Sequence, residues 1–242
     1  KVIRVLVSWL GGSETEVGHF ALRLVHCPHG PAAPPADSFW LHRSLKFGAA
    51  LARYQQAVSP AAAASVPASW EAWRLELRVR YLPPDLKEMY QTQRATFSYF
   101  YDQIRGDYME QVAWKVDRRT AIQLGCLEIR RFFKDMSSSA LEKKANLDFL
   151  ETEIGLEKFF PLSVMEERRK SLRKELSAEL RRLGGLSERE CCFAFLDGLA
   201  RIARYALEIF KCSLGVRLSL LSPTFAISQL SSLTRSFVTR EG

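Results

Sequence analysis

The dominant apolar period of this chain changes from two to 3.6 close to Pro83. Upstream lies Trp73-Arg-Leu-Glu-Leu-Arg-Val-Arg-Tyr81, in which the odd positions are apolar and Arg74, Glu76, Arg78 and Arg80 are charged. That alternation predicts a strand with one buried and one solvated face. Downstream the apolar residues recur at helical spacing in successive stripes. Phe97, Phe100, Tyr101, Ile104 and Tyr108 form the first, with Thr96 as its expected N-cap. Ile122, Cys126, Ile129 and Phe133 follow, with Asp117 as cap and Gly125 allowing close helix approach. Leu147, Leu150 and Ile154 form a third, ended by Gly155. Leu172, Leu176, Leu180 and Leu183 form a fourth, stopped by Gly184-Gly185. The last opens on the capping box Ser187-Glu-Arg-Glu190 and runs through Cys192, Phe195, Leu199, Ile202 and Ala206. Helices this closely spaced must bury their stripes against one another, so residues 83–206 are predicted to be a helical bundle.

Residues 1–82 read as mixed α/β. Phe20, Leu22 and Leu24 alternate with Ala21 and Arg23 as in a strand, and Leu45–Tyr54 is helix-like. Residues 28–36 and 59–69 are rich in Pro and Ala and read as surface loops. In 207–242, Val216, Leu218 and Leu220 alternate briefly, and a lone strand pair has no stability of its own. A sheet-bearing segment followed by a bundle makes the fold class α+β.

Composition narrows the function classes. A hydrophobic fraction of 47% supports a packed core, and no apolar run reaches spanning length; Val2–Leu10 is short and carries Arg4. No small-residue cleavage pattern follows it, so a cytosolic chain is expected. Cys27, Cys126, Cys191, Cys192 and Cys212 contain no C-x-x-C pair and are read as reduced thiols. His19, His26, Cys27, His29 and His42 lack the regular ligand pairs of a zinc site, so no metal and no cofactor is expected. There is no glycine-rich phosphate loop, no His-Arg-Asp loop, no Asp-Phe-Gly and no G-x-S-x-G elbow, so no catalytic residue is assigned. The formal charge of +8 favours anionic partners. Nucleic acid fits poorly, because no aromatic pair interleaves with the basic run as a stacking platform.

That basic run is Arg168-Arg-Lys-Ser-Leu-Arg-Lys174. On a helix Lys170, Arg173, Lys174 and Arg181 share one side, beside the leucine stripe. Such a face suits a phosphoinositide headgroup; the plain alternative is a solvated, salt-bridged helix face.

Three blocks in order carry a more specific signal: Gln123-Leu-Gly-Cys-Leu-Glu-Ile-Arg-Arg-Phe-Phe-Lys-Asp-Met136, Ser139-Ala-Leu-Glu-Lys-Lys-Ala-Asn146 and Ile154-Gly-Leu-Glu-Lys-Phe-Phe-Pro161. Together they resemble the middle lobe of the FERM module of the focal adhesion kinase family, and Arg-Phe-Phe-Lys-Asp-Met leans toward its proline-rich tyrosine kinase branch. The resemblance implies an α+β multi-lobe FERM module. Residues 1–82 would be an incomplete ubiquitin-like first lobe, since Lys1 begins too late to supply the opening β-hairpin. Residues 83–206 would be the acyl-CoA-binding-protein-like middle lobe, and 207–242 the truncated start of a pleckstrin-homology-like third lobe.

By the same resemblance, the chain is the non-catalytic regulatory front end of a focal-adhesion-type non-receptor tyrosine kinase. Arg168, Arg169, Lys170, Arg173, Lys174 and Arg181 would form the lipid-binding basic patch, although one residue is missing before it relative to the family pattern. Phe133, Met136 and Phe149 would face the kinase domain of the parent protein for autoinhibition. Implied partners are that kinase domain, an acidic phosphoinositide surface and cytoplasmic tails of adhesion or growth-factor receptors. The implied location is cytoplasmic, with recruitment to the plasma membrane and focal adhesions. Two competing readings are a cytoskeletal FERM adaptor without a kinase and an acyl-CoA or lipid-carrier bundle.

Overall fold

Period-two patterning produces the expected strands. In the computed structural model, which describes residues 1–27, 37–58, 72–141, 143–166 and 169–203, strands β1 (Phe20–His26), β2 (Asp37–Leu41) and β3 (Trp73–Val79) form an antiparallel sheet in the order β2-β1-β3. Leu22 pairs with Leu41 on one side and Leu77 on the other, and Leu24 with Phe39 and Leu75. Helices α1 (Val2–Trp9) and α2 (Phe47–Val58) belong to the same compact unit, whose boundary falls between Gln103 and Ile104. Helix α3 (Leu86–Thr92) is capped by Asp85, whose carboxylate accepts from the Lys87 amide at 2.7 Å. The loops 28–36 and 59–69 and the tail 207–242 lie outside the described residues, as do His29, Ala206 and Cys212.

The charged face of β3 is not the solvated face that alternation predicts. Arg23 Nη2 lies 2.6 Å from Glu76, Arg74 Nη2 lies 2.8 Å from it, and Arg78 closes the cluster at 3.9 Å. The Arg78 and Glu76 side chains are only 14% and 17% exposed, whereas Leu75 on the apolar face is 42% exposed. Arg23 stands between Trp40 on β2 and Glu76 on β3, and the Arg23 and Arg80 guanidinium groups pack 5.8 and 4.6 Å from the Trp40 ring centroid, so aromatic surface lies against the charges. Burial raises the Glu76 carboxyl, but hydrogen bonds from Arg23 and Arg74 outweigh it and hold the group below its ordinary value.

Thr96 is also displaced from its predicted role. It lies inside helix α4 (Arg94–Asp107), fully buried, and its hydroxyl donates to Glu16 rather than capping the helix. Glu16 also accepts from the Ser13 amide at 2.8 Å, so a buried carboxylate is satisfied by neutral donors. The stripe Phe97, Phe100, Tyr101, Ile104 and Tyr108 is buried throughout, as its spacing predicts.

The second unit is the helical packing expected from the later stripes. Helix α5 (Arg118–Phe132) starts where Asp117 accepts from the Thr120 amide at 3.0 Å, and every residue from Leu124 to Ile129 is buried. Its C-cap, Phe133, is half-buried rather than a core residue, because the helix has already ended. Gly125 admits a close neighbour, but that neighbour is the turn at Phe159–Phe160 and not the helix its position suggests. Helix α6 (Ser138–Leu141) and helix α7 (Lys144–Phe149) follow, and α7 runs into a π-helical turn, Leu150–Ile154, that ends at Gly155 with φ +90°. Helix α8 (Leu162–Met165) leads to α9 (Arg169–Leu183), whose Leu172, Leu176, Leu180 and Leu183 are all buried. In α10 (Glu188–Ala200) the predicted Ser187–Glu190 capping box is formed, with Ser187 N to Glu190 Oε2 at 2.8 Å. Ile202 lies past the end of α10 and is exposed, so it does not extend that stripe.

Candidate functional site

Two surfaces of the second unit carry the predicted site residues. The first is apolar. Phe133, Met136 and Phe149 come together around one small crevice of about 10 Å³, floored by Ile129, Leu147 and Leu180. Sequence distance is overcome by two local devices. Arg130 Nη1 donates to the carbonyls of Phe133 (3.0 Å) and Met136 (3.1 Å), folding the chain after α5 back on itself. Asn146 Nδ2 donates to the Ala140 carbonyl at 2.7 Å, tying α6 to α7. Phe149 remains 47% exposed. Phe132, 57% exposed, adjoins Phe133, its ring 5.0 Å from that of Phe133 and 6.0 Å from that of Phe159. Phe132 was not singled out from the sequence. The available signal was its offset from the Ile122/Cys126/Ile129 stripe, which turns it away from the core.

The second surface is the basic face of α9. Lys174 and Arg181 are exposed, while Arg168 lies outside the described residues, and for Arg169 and Lys170 only the helical backbone is described. Arg173 departs from the prediction. Its Nε and Nη2 atoms reach the Glu151 carboxylate at 2.5 and 2.6 Å, and its Nη1 reaches Asp148 at 2.7 Å. The Glu151 side chain is almost fully buried by this contact. These hydrogen bonds, Glu151 first, push the Arg173 guanidinium above its ordinary range. Arg173 therefore fastens α9 to the turn that carries Phe149 instead of standing with Lys174 and Arg181.

On the other flank of α9 an open groove of about 710 Å³ is lined by Arg118, Arg119, Gln123, Glu175, Glu179 and Arg182. Arg118 is bidentate to Glu175 at 3.2 Å and donates to the Val164 carbonyl at 3.0 Å. Glu179 is engaged by Arg182. On this flank of α9 the glutamates Glu175 and Glu179 are thus held in specific pairs with arginines.

The remaining reactive residues are dispersed. His19 donates from Nδ1 to the Tyr81 carbonyl at 2.7 Å, His42 lies 2.7 Å from the Ser44 hydroxyl, and the His26 ring lies 4.7 Å from that of Trp73. Among the described residues Cys27, Cys126, Cys191 and Cys192 are reduced thiols, all buried. Burial pushes Cys126 well up and Cys191 up to about 11, so neither is a nucleophile at neutral pH. Among the described residues no helix is long and apolar enough to cross a membrane.

A small antiparallel sheet with its helices, followed by a helical bundle with a patterned apolar and basic exterior, defines a FERM-like fold. A family profile for the FERM central domain matches residues 87–210, and the chain belongs to that family. A FERM central domain is a non-catalytic module. Over 218 residues the chain is 26% identical to a Caenorhabditis elegans protein named inactive tyrosine-protein kinase kin-32, covering 89% of this chain and 24% of that relative. It therefore spans about a quarter of that relative's length. Among solved structures it is similar to the MyTH4-FERM MF2 domain of Dictyostelium discoideum myosin VII, with TM-score 0.61, 13% identity, and coverage of 90% of this chain and 40% of that one. The MF1 domain of the same myosin, in a mutant form, gives 0.51 at 11% identity, covering 91% and 40%. At such identities the likeness is one of fold alone.

Proposed function

We propose that this chain is the FERM regulatory region of a focal-adhesion-type tyrosine kinase, with residues 1–82, 83–206 and 207–242 belonging to its first, middle and third lobes. It docks on the kinase domain of its parent in the resting state, and acidic phosphoinositide or receptor tails draw it to the membrane at adhesion sites. The observation that carries the docking half is the convergence of Phe133, Met136 and Phe149 around one crevice beside exposed Phe132. Apolar side chains clustered on an exterior mark an interaction surface. The relative named inactive tyrosine-protein kinase kin-32 supports a kinase-type domain as the partner.

The docking test is titration of a focal-adhesion-family kinase domain onto the purified chain. Phe149→Asp, at an exposed position, should leave the circular dichroism spectrum unchanged and abolish binding. Binding equal to that of the parent chain would refute the docking surface. The lipid half rests on Lys174 and Arg181. Each basic side chain close to an anionic surface contributes about 1 kcal/mol, so Lys174→Ala with Arg181→Ala should weaken binding to phosphoinositide vesicles roughly thirtyfold. Raised salt should reproduce the loss.

A further inference from the structure

We propose that Ser171 is a phosphorylation site for an arginine-directed serine kinase, and that its phosphate discharges the basic face of α9 and releases that face from anionic membrane. The second half rests on the lipid reading above, and the first half does not. Sequence supplies the recognition. Ser171 is preceded by Arg168, Arg169 and Lys170 and followed by Leu172. No other serine or threonine of the chain has arginine at both the third and the second position before it. Cations so placed suit a kinase whose substrate cleft is lined with carboxylates, and kinases select substrates by such charge patterns.

Position in the helix supplies access. Ser171 is exposed and lies in the first turn of α9. The amides of a first turn have no intrahelical partner, and helix termini open more readily than helix interiors. Opening must also release buried Leu172, so the hydroxyl is offered by a local opening and not by the closed helix. In the transfer, Ser171 Oγ attacks the γ-phosphorus of ATP, which that kinase holds with magnesium. The Oγ–P bond forms as the bond from phosphorus to the β,γ-bridging oxygen breaks. ADP departs with the electron pair, and the hydroxyl proton passes to the catalytic aspartate of the kinase.

The surroundings decide what the phosphate does. The Ser171 hydroxyl donates to Glu175 Oε1 at 3.1 Å, and the same oxygen accepts from Arg118 Nη2 at 3.2 Å. A phosphate there brings a charge of about −1.5 to −2 against a carboxylate already in place, with Arg118 within reach of both anions. Its place in the first turn suits the helix dipole, which offsets the repulsion from Glu175, so α9 stays folded. At 100° per residue Ser171 lies about 60° round the helix from Lys174 and about 80° from Arg181. The dianion therefore stands among the charges that would meet a membrane and subtracts from them. Cancelling about two basic charges should weaken vesicle binding roughly thirtyfold.

In the test, the full chain is incubated with the catalytic subunit of cyclic-AMP-dependent kinase and magnesium ATP, and phosphate is located by peptide mass spectrometry. Phosphate at Ser171 is expected, with none at that peptide in Ser171→Ala. Combining Arg168→Gln with Arg169→Gln should slow incorporation roughly tenfold or more. Modified and unmodified chains are then sedimented with vesicles of phosphatidylcholine, phosphatidylserine and phosphatidylinositol bisphosphate. Binding should fall roughly thirtyfold with an unchanged circular dichroism spectrum and return after phosphatase treatment, while Ser171→Ala binds as the parent does. Absence of phosphate from Ser171, incorporation indifferent to the two arginine substitutions, or a modified chain that binds as tightly as the parent would each overturn the proposal. An unmodified chain that ignores the vesicles would refute the lipid reading and the switch built on it, while the mass spectrum alone decides the modification site.

Discussion

Replacing Gly125 with Ala should destabilise the bundle, although alanine is the better helix former. A Cβ at this position would lie 2.1 Å from Phe160 Cε1, 2.5 Å from its Cδ1 and 2.8 Å from the Phe159 carbonyl oxygen. The Phe160 ring is 1% exposed, so it has no solvent to retreat into, and the oxygen belongs to the backbone. Overpacking of this kind costs about 1–3 kcal/mol, and the contact distances put it at the upper end. The helix-propensity gain of about 1 kcal/mol offsets part, leaving a net loss of about 2 kcal/mol. For a chain of this size that is a fall in melting temperature of about 4–8 °C. Gly106→Ala is the internal control, because that glycine also sits in a helix and a Cβ there meets nothing within 4 Å. It should gain about 0.5–1 kcal/mol and melt slightly higher. Differential scanning calorimetry of both variants decides the matter. A Gly125→Ala melting point equal to or above the parent's would refute the close approach of the Phe159–Phe160 turn.

Acid should unfold the chain through its depressed carboxylates. Hydrogen bonds from Arg118 hold Glu175 and from Ser187 hold Glu190 below the ordinary 4.5, while at Glu16 and Glu76 burial opposes the shift but hydrogen bonds from Thr96 and Arg23 prevail. The folded state then binds fewer protons than the unfolded one, so stability is complete above about 4.5 and is lost as pH falls through the depressed values. A urea midpoint that stays flat down to pH 3 would contradict this. Cys126 and Cys191 should react with a disulfide reagent at pH 7.5 only after denaturation, and a fast native reaction at either, located by peptide mapping, would refute their burial. Arg173→Ala should speed hydrogen exchange at 148–154 and weaken kinase-domain docking without contacting that domain; unchanged exchange would show that the ion pairs do not hold the Phe149 turn.

Much of the bundle is legible because its determinants are local. A cap such as Asp117 or Ser187 bonds within three residues of itself, and Gly155 ends its helix through its own backbone angle. Leu172, Leu176, Leu180 and Leu183 need only the 3.6 period to be read as buried. Phe133 and Ile202 were misread for one shared reason. Each continues an arithmetic stripe past the point where its helix stops, and a stripe carries no record of its own end. The resemblance singles out Phe133, Met136 and Phe149, which line one crevice, but not exposed Phe132, because the adjacent Phe133 satisfies the same pattern.

What stayed hidden depends on partners distant in sequence. A helical wheel sets Arg173 with Lys174 and Arg181, yet it also lies next to the buried leucine arc, and only the folded chain brings Asp148 and Glu151 within reach. Two carboxylates at hydrogen-bond distance outcompete bulk solvent for a guanidinium at the rim of the core. The same logic inverts the faces of β3. Alternation assigns its charged side to water, but Glu76 is encircled by arginines, and Trp40 and Arg80 close over them. Once charges are neutralised in place, their face can be covered, while Leu75 on the apolar face stays partly exposed where, among the described residues, β3 is the last strand of the sheet. Periodicity specifies which side chains share a face. Whether that face is buried is decided by the next strand or helix to arrive.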